Sequence, residues 1–150
     1  MGLALTPLGR LDIHATESFS IDAGPRGTRS ATNFEKVVWT GPVLQATSRW
    51  ANGTYLATEI IAEPNIRVFF ETDEDDPASL FLDYRARFEI DADLRARTGQ
   101  PSPGANPVYL AGRTETTDPR YTWLNATQIV GKGGFDMERL VLSYEIHALR

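Results

Sequence analysis

Apolar and polar residues alternate along much of this chain in short runs divided by clusters of Gly, Pro, Asn and Asp. A period of two puts successive side chains on opposite faces of an extended strand. Many such runs with regular turn signals predict an all-β sandwich or barrel. The pattern predicts nine strands, over Leu11–Ile21, Arg29–Thr40, Gly41–Trp50, Thr54–Ile61, Ile66–Thr72, Leu80–Ile90, Val108–Thr116, Thr122–Val130 and Leu140–Ala148. Asn52-Gly53 gives the strongest hairpin signal, because both residues tolerate the positive φ of a type I′ turn. Gly131-Lys132-Gly133-Gly134 reads as a hairpin loop, since it lacks the strand, Gly-Lys-Ser/Thr and helix frame of a phosphate loop. Pro64 and Pro107 fall at strand starts, where a missing N–H does least harm.

One short helix is expected at Asp91–Gly99, with acids in its first turn, arginines in its last and a glycine stop. The Pro- and Gly-rich stretch Gly99–Pro107 then returns the chain to the next strand as a lid or rim. The expected fold is therefore a single antiparallel β-barrel domain, lipocalin- or calycin-like, with about nine strands and one short helix.

The two faces of the strands differ in kind. Leu80, Leu82, Tyr84, Ala86, Phe88 and Ile90 share one face, and Phe81, Asp83, Arg85, Arg87 and Glu89 share the other. Asn65, Arg67, Phe69 and Glu71 oppose Ile66, Val68 and Phe70, and Tyr55 and Glu59 oppose Leu56, Thr58 and Ile60. An aromatic-plus-charged face suits either an amphipathic lumen around a ligand or an outer face that meets another subunit. The pattern leaves both open.

Composition narrows the partners. The 150 residues fit one domain, and a net charge of −5 with no Lys/Arg block argues against nucleic acid, which is bound through basic surface. The acidic run Glu71–Asp76 would repel a phosphate backbone. With no cysteine in the sequence, disulfides, thiolate nucleophiles and Cys-ligated metals are excluded. No stretch approaches the ~18 apolar residues of a transmembrane helix, and the first residues lack the pattern of a signal peptide. A cytoplasmic protein with no membrane partner is the expectation. His14 and His147 have no ligand spacing, so no metal site and no cofactor are expected.

Three segments carry a family resemblance. Gly24-Pro25-Arg26-Gly27-Thr28-Arg29, followed by Trp39-Thr40-Gly41-Pro42, is similar to an Arg-Gly-Arg-Arg and later Gly-Pro pattern. Arg67–Leu82 reads as strand, acidic turn and strand. Arg113–Gly131, RTETTDPRYTWLNATQIVG, is the most specific, with Arg-Thr, Glu-Thr, Tyr-x-Trp-Leu-Asn and Val-Gly in order. Together they resemble the domain-of-unknown-function family 3237, a set of small β-barrel proteins. The chain departs from that pattern at Ala46-Thr47-Ser48-Arg49-Trp50, where a Gly-Gly-x-Asp-Trp stretch is usual and Arg49 stands in the place of Asp. The resemblance implies a barrel and a homodimer or higher homo-oligomer, and says little about a reaction.

Candidate chemistry follows from residue type. Asp83 and Glu59 are general-base candidates, because a carboxylate in a partly apolar lumen has a raised pKa. Arg67, Arg113 and Asn125 would hold a developing negative charge, with Arg113 counted among the catalytic residues. Trp50, Trp123, Tyr55 and Phe81 would shape a pocket, and Tyr55, Tyr109 or Tyr144 would serve as a phenolic acid. The bland readings are cross-strand ion pairs for the arginines and a loop tie for Asn125. The leading expectation is a cofactor-independent isomerase, cyclase or lyase that moves protons on a small carbonyl or aromatic metabolite. The alternatives are a non-catalytic lipocalin-like binder and an assembly subunit whose mixed faces are interfaces.

Overall fold

A computed structural model describes residues 2–150. Eight strands, each antiparallel to the next, form a closed barrel in simple sequence order: β1 (Leu5–Gly24), β2 (Gly27–Thr40), β3 (Gln45–Ala57), β4 (Ile61–Thr72), β5 (Ser79–Glu89), β6 (Val108–Glu115), β7 (Gln128–Asp136) and β8 (Val141–Leu149). β8 closes on β1 from Leu5↔Leu149 to His14↔Val141. Closure removes the unpaired edges that an open sheet exposes. The helix α1 (Ala92–Thr98) lies where the charge pattern predicts it. Asp91 caps its first turn by accepting from the Leu94 N–H at 3.0 Å, and Gly99 ends it in the left-handed region. No helix among the described residues is long and apolar enough to cross a membrane.

The barrel is as expected, but eight strands replace nine. Asn52-Gly53 is not a hairpin: it lies mid-strand in β3, opposite Asn33 and Thr32 on one side and Arg67 and Ile66 on the other. Glycine is needed there for close approach, since a Cβ at Gly53 would sit 2.7 Å from Ile66 Cγ1 and 3.1 Å from a Phe34 ring carbon. Gly131–Gly134 is likewise inside β7, paired to β8 throughout. The segment expected as a strand over Thr122–Val130 is a 3-10 turn, Thr122–Ala126, followed by the start of β7.

The alternating apolar faces turn inward. Leu80, Leu82, Tyr84, Ala86 and Phe88 of β5 pack against Leu11, Ile13, Val37, Ile66, Val68, Phe70 and Ile146 in one continuous core. β-bulges shift the phase of that alternation, and two of them shape the open end of the barrel. One near Ala15 and Thr16 of β1 brings Ser18 and Ser20 to the inside, and one at Arg49 of β3 brings Tyr55 inside while Arg49 and Trp50 stay exposed.

The two ends of the barrel are built differently. At the end holding the β2–β3, β4–β5 and β6–β7 connections, Leu8, Trp39, Leu44, Phe70, Ala78 and Leu124 are buried as a plug. Trp39 meets Phe70 edge to face at 6.0 Å and donates its indole N–H to the Leu8 carbonyl at 2.9 Å. Such aromatic pairs add about 0.5–1.5 kcal/mol beyond the area they bury. The opposite end is not filled.

Candidate functional site

The unfilled end forms a half-open cavity of about 330 Å³, within the size range of small-ligand sites, roughly 300–1,000 Å³. Ile13, Phe34, Ile66, Phe88, Val108 and Leu142 supply apolar wall. Its roof comes from two connections, Gln100–Pro103 after α1 and Met137 and Leu140 before β8. The Gly99–Pro107 stretch, expected as a mobile lid or rim, is a pinned rim. Pro101, Ser102 and Pro103 are buried, the Ser102 carbonyl accepts from the Asp91 N–H at 2.9 Å, and the Asn106 amide donates to the Glu89 carbonyl at 3.0 Å.

One wall is polar. The register aligns Ser20, Ser30, Tyr55 and Pro64 in one inward row across β1 to β4, and Ser18, Thr32, Gly53 and Ile66 in the next. Ser18 Oγ and Thr32 Oγ1 are 2.9 Å apart. Burial pushes the Tyr55 phenol above its ordinary pKa of 10.0, against the opposing effect of the Ser30 and Ser20 hydroxyls that face it. Tyr55 therefore stays protonated at neutral pH and presents an O–H donor beside hydroxyls that both donate and accept. Arg95 on α1 reaches the rim of the same end, donating to the Thr58 carbonyl at 2.5 Å.

Beneath the cavity lies a second polar feature. Tyr84, the direct partner of the wall residue Ile66, and Tyr144, two positions past the wall residue Leu142, are both buried and meet inside the barrel. Desolvation pushes both phenols well above the ordinary range.

Of the candidate site residues named from sequence, Tyr55 alone lines this cavity. Asp83, Arg67, Arg113, Phe81 and Trp50 are on the outer face, because their neighbours Leu82, Tyr84, Ile66 and Val68 occupy the core. That placement removes Asp83 as a base inside the lumen, and Arg67 and Arg113 as oxyanion holders there. Glu59 is exposed in the β3–β4 turn. Trp123 and Asn125 belong to the 3-10 turn near the plugged end, where Asn125 accepts from the Thr116 N–H and donates to the Thr116 carbonyl, both at 2.9 Å. Asn125 is a loop tie. Nearby, the Arg120 guanidinium holds the Asp118 carboxyl down at about 2, and Tyr121 bonds Glu74. The Tyr-x-Trp-Leu-Asn motif thus organises the β6–β7 connection.

The hydroxyl wall is what sequence reasoning missed. Its signal was present as Thr16, Ser18 and Ser20, and again as Ser30 and Thr32, each set spaced by two. A wider groove of about 670 Å³ lies on the outer face of β1 and β8. Arg10, Asp12 and Ser143 satisfy one another there: Arg10 donates to Asp12 at 2.9 Å, and Ser143 donates to Asp12 at 2.5 Å.

An eight-stranded up-and-down barrel, plugged at one end and open to a small apolar cavity at the other, has the architecture of small-ligand barrels such as lipocalins. The sequence profile of the protein family of unknown function DUF3237 matches residues 3–149, and the chain belongs to that family. Three solved structures share the fold. A β-barrel-like protein from Acinetobacter baumannii is 18% identical with a TM-score of 0.81, the match covering 100% of this chain and 98% of that one. A conserved protein of unknown function from Rhodopseudomonas palustris is 19% identical with a TM-score of 0.83, covering 100% and 99%. A protein from Penicillium herquei described as an enzyme is 14% identical with a TM-score of 0.63, covering 99% of each chain. No curated protein matches the sequence.

Proposed function

We propose that this protein binds a small, largely apolar ligand, of one or two fused rings and carrying a hydroxyl or carbonyl oxygen, in the open end of the barrel. The observation that carries this reading is the hydroxyl wall of Ser18, Ser20, Ser30, Thr32 and Tyr55 set into a largely apolar cavity. An apolar pocket supplies affinity, and a few convergent polar groups fix orientation. Among the described residues no carboxylate lines the cavity, so the ligand's oxygens would meet neutral donors and acceptors.

A catalytic version of the same reading rests on Tyr55. A phenol kept protonated by burial can donate to an oxygen that gains negative charge, and the similar fold of the Penicillium herquei protein described as an enzyme supports this version. In that version Tyr55, rather than Asp83 or Glu59, is the proton-handling group.

Calorimetric titration with 1-naphthol and 1-tetralone tests the proposal. Saturable binding is expected. Loss of the phenol in Tyr55→Phe should weaken it by about tenfold, the equivalent of roughly 1.4 kcal/mol for one hydrogen bond. Asp83→Asn and Glu59→Gln should leave affinity unchanged. Absence of binding by both probes, or equal affinity in Tyr55→Phe, would overturn the reading.

A further inference from the structure

The outer face of β3 to β6 mixes exposed aromatic and charged side chains, and its register makes a grid. One outward row reads Trp50, Phe69, Phe81, Glu115, and the next reads Asn52, Arg67, Asp83, Arg113. A third reads Thr54, Asn65, Arg85, Ala111. In a fourth, Leu56 pairs with Glu63 and Arg87 with Tyr109, and Arg87 reaches Glu63 at 3.1 Å. Trp50 is 48% exposed, Phe69 38% and Tyr109 50%, an unusual amount of aromatic surface left in water. Asp83 stands between Arg67 and Arg113 in the ladder, yet among the described residues it forms no ion pair with either.

We infer that this face binds a second copy of the same chain, across a two-fold axis running along the seam between β4 and β5. Such an axis exchanges β4 with β5 and β3 with β6, and each position then meets its counterpart reciprocally, as an isologous interface requires. The grid is complementary under that exchange in every row. Phe69 meets Phe81 of the partner subunit, and Trp50 offers its indole N–H to Glu115 of the partner subunit. Arg67 meets Asp83 of the partner subunit, and Asn52 meets Arg113 of the partner subunit. Asn65 faces Arg85 of the partner subunit, Glu63 faces Arg87 of the partner subunit, and Leu56 faces Tyr109 of the partner subunit. No like charges are brought together. An axis along the next seam, between β5 and β6, would instead set Phe81 against Glu115 of the partner subunit.

Charge points to the same occupant. The chain as a whole carries −5, so two copies repel on average. This face is the exception, with Arg67, Arg85, Arg87 and Arg113 set against Glu63, Asp83 and Glu115. A uniformly basic or acidic partner would leave about half of these charges opposed, whereas a second copy pairs Arg67 with Asp83 and Arg87 with Glu63 and sets Arg85, Arg113 and Glu115 against uncharged polar groups. Because a barrel is convex, β4 and β5 form the centre of contact, and Phe69, Phe81, Arg67 and Asp83 are the residues on which it depends.

Analytical ultracentrifugation of the wild-type chain and of Asp83→Arg and Arg67→Asp tests this, with circular dichroism to confirm that each variant is folded. The expected wild-type species has twice the mass of the 16.6 kDa chain, and each single variant falls to half that mass. Mixing the two variants should restore the dimer. In the mixed pair, positions 67 and 83 are both basic on the Asp83→Arg chain and both acidic on the Arg67→Asp chain, so opposite charges again meet across the axis. That rescue cannot come from a variant that has merely misfolded. A monomeric wild type, an assembly of another size, single variants that remain dimeric, or a mixture that stays monomeric would each overturn the inference.

Discussion

Tyr84 and Tyr144 cross the lumen edge to face, with ring centroids 5.5 Å apart, and Tyr84 donates its hydroxyl proton to the Tyr144 oxygen at 3.4 Å. The bond is long for an O–H donor, so the rings contribute more than the hydroxyls. Tyr84→Phe is expected to cost no more than about 1 kcal/mol. Removing both hydroxyls, in Tyr84→Phe with Tyr144→Phe, should come out close to neutral, because no buried hydroxyl is then left alone. Urea denaturation of the four members of the cycle checks this; a double variant less stable than the sum of the singles would contradict it.

The same pair, with Tyr55, sets an alkaline limit. All three phenols are raised above 10.0 in the folded chain, burial being the largest cause. Above the unfolded pKa the unfolded chain releases these protons while the folded chain keeps them. The unfolded state then binds fewer protons, and stability falls as pH rises. Denaturation midpoints should be flat with respect to these groups below about pH 10 and decline above it. Phenolate absorbance should show Tyr84 and Tyr144 ionising only as the chain unfolds. A shallower alkaline decline is expected in the double Phe variant.

Two adjacent glycines in β7 should respond in opposite ways. A Cβ at Gly133 would lie 1.7 Å from the Ser143 carbonyl oxygen and 2.8 Å from Tyr144 Cα, backbone atoms that no rotamer change can move aside. At Gly134 no atom lies within 4 Å. Gly133→Ala should cost about 3 kcal/mol or more through forced separation of β7 and β8, while Gly134→Ala should change stability by no more than about 0.5 kcal/mol. Thermal melts of the two proteins decide it.

Asn125 and Tyr55 separate fold from site. Asn125→Ala leaves the Thr116 N–H and carbonyl without their side-chain partner and should cost about 1–2 kcal/mol, with probe affinity unchanged. Tyr55→Phe should do the reverse, weakening the probe with little loss of stability. Parallel melts and titrations would expose an error if both variants moved the same quantity.

The barrel itself was legible because alternation is a direct record of burial. Leu80 to Phe88 reads as one buried row, and it is one. The helix was legible because Asp91 and Gly99 mark its two ends chemically. What misled was glycine. Asn52-Gly53 has turn chemistry, but the contact that demands a glycine at position 53 comes from Ile66 and Phe34, which are remote in sequence. The direction of each face was illegible for a related reason. Phe69, Phe81 and Trp50 look like wall residues until the opposite face is seen to fill the lumen, and a one-residue bulge reverses the phase of everything beyond it. The polar wall depends on such a bulge, so no alternation count started at Leu11 would have placed Ser18 inside.

The contrast between the two ends of the barrel bears on how such a protein diversifies. Trp39, Phe70 and Leu124 hold the strands together at one end, where substitutions are felt as lost stability. Ser18, Thr32 and Tyr55 line the other, where a change of one side chain alters what the cavity accepts while the strands keep their register. Selection can therefore act on recognition and on folding at separate positions, along one axis. On the binding reading proposed above, a lineage of these barrels can drift far in sequence, exchange one small molecule for another, and remain the same object in shape.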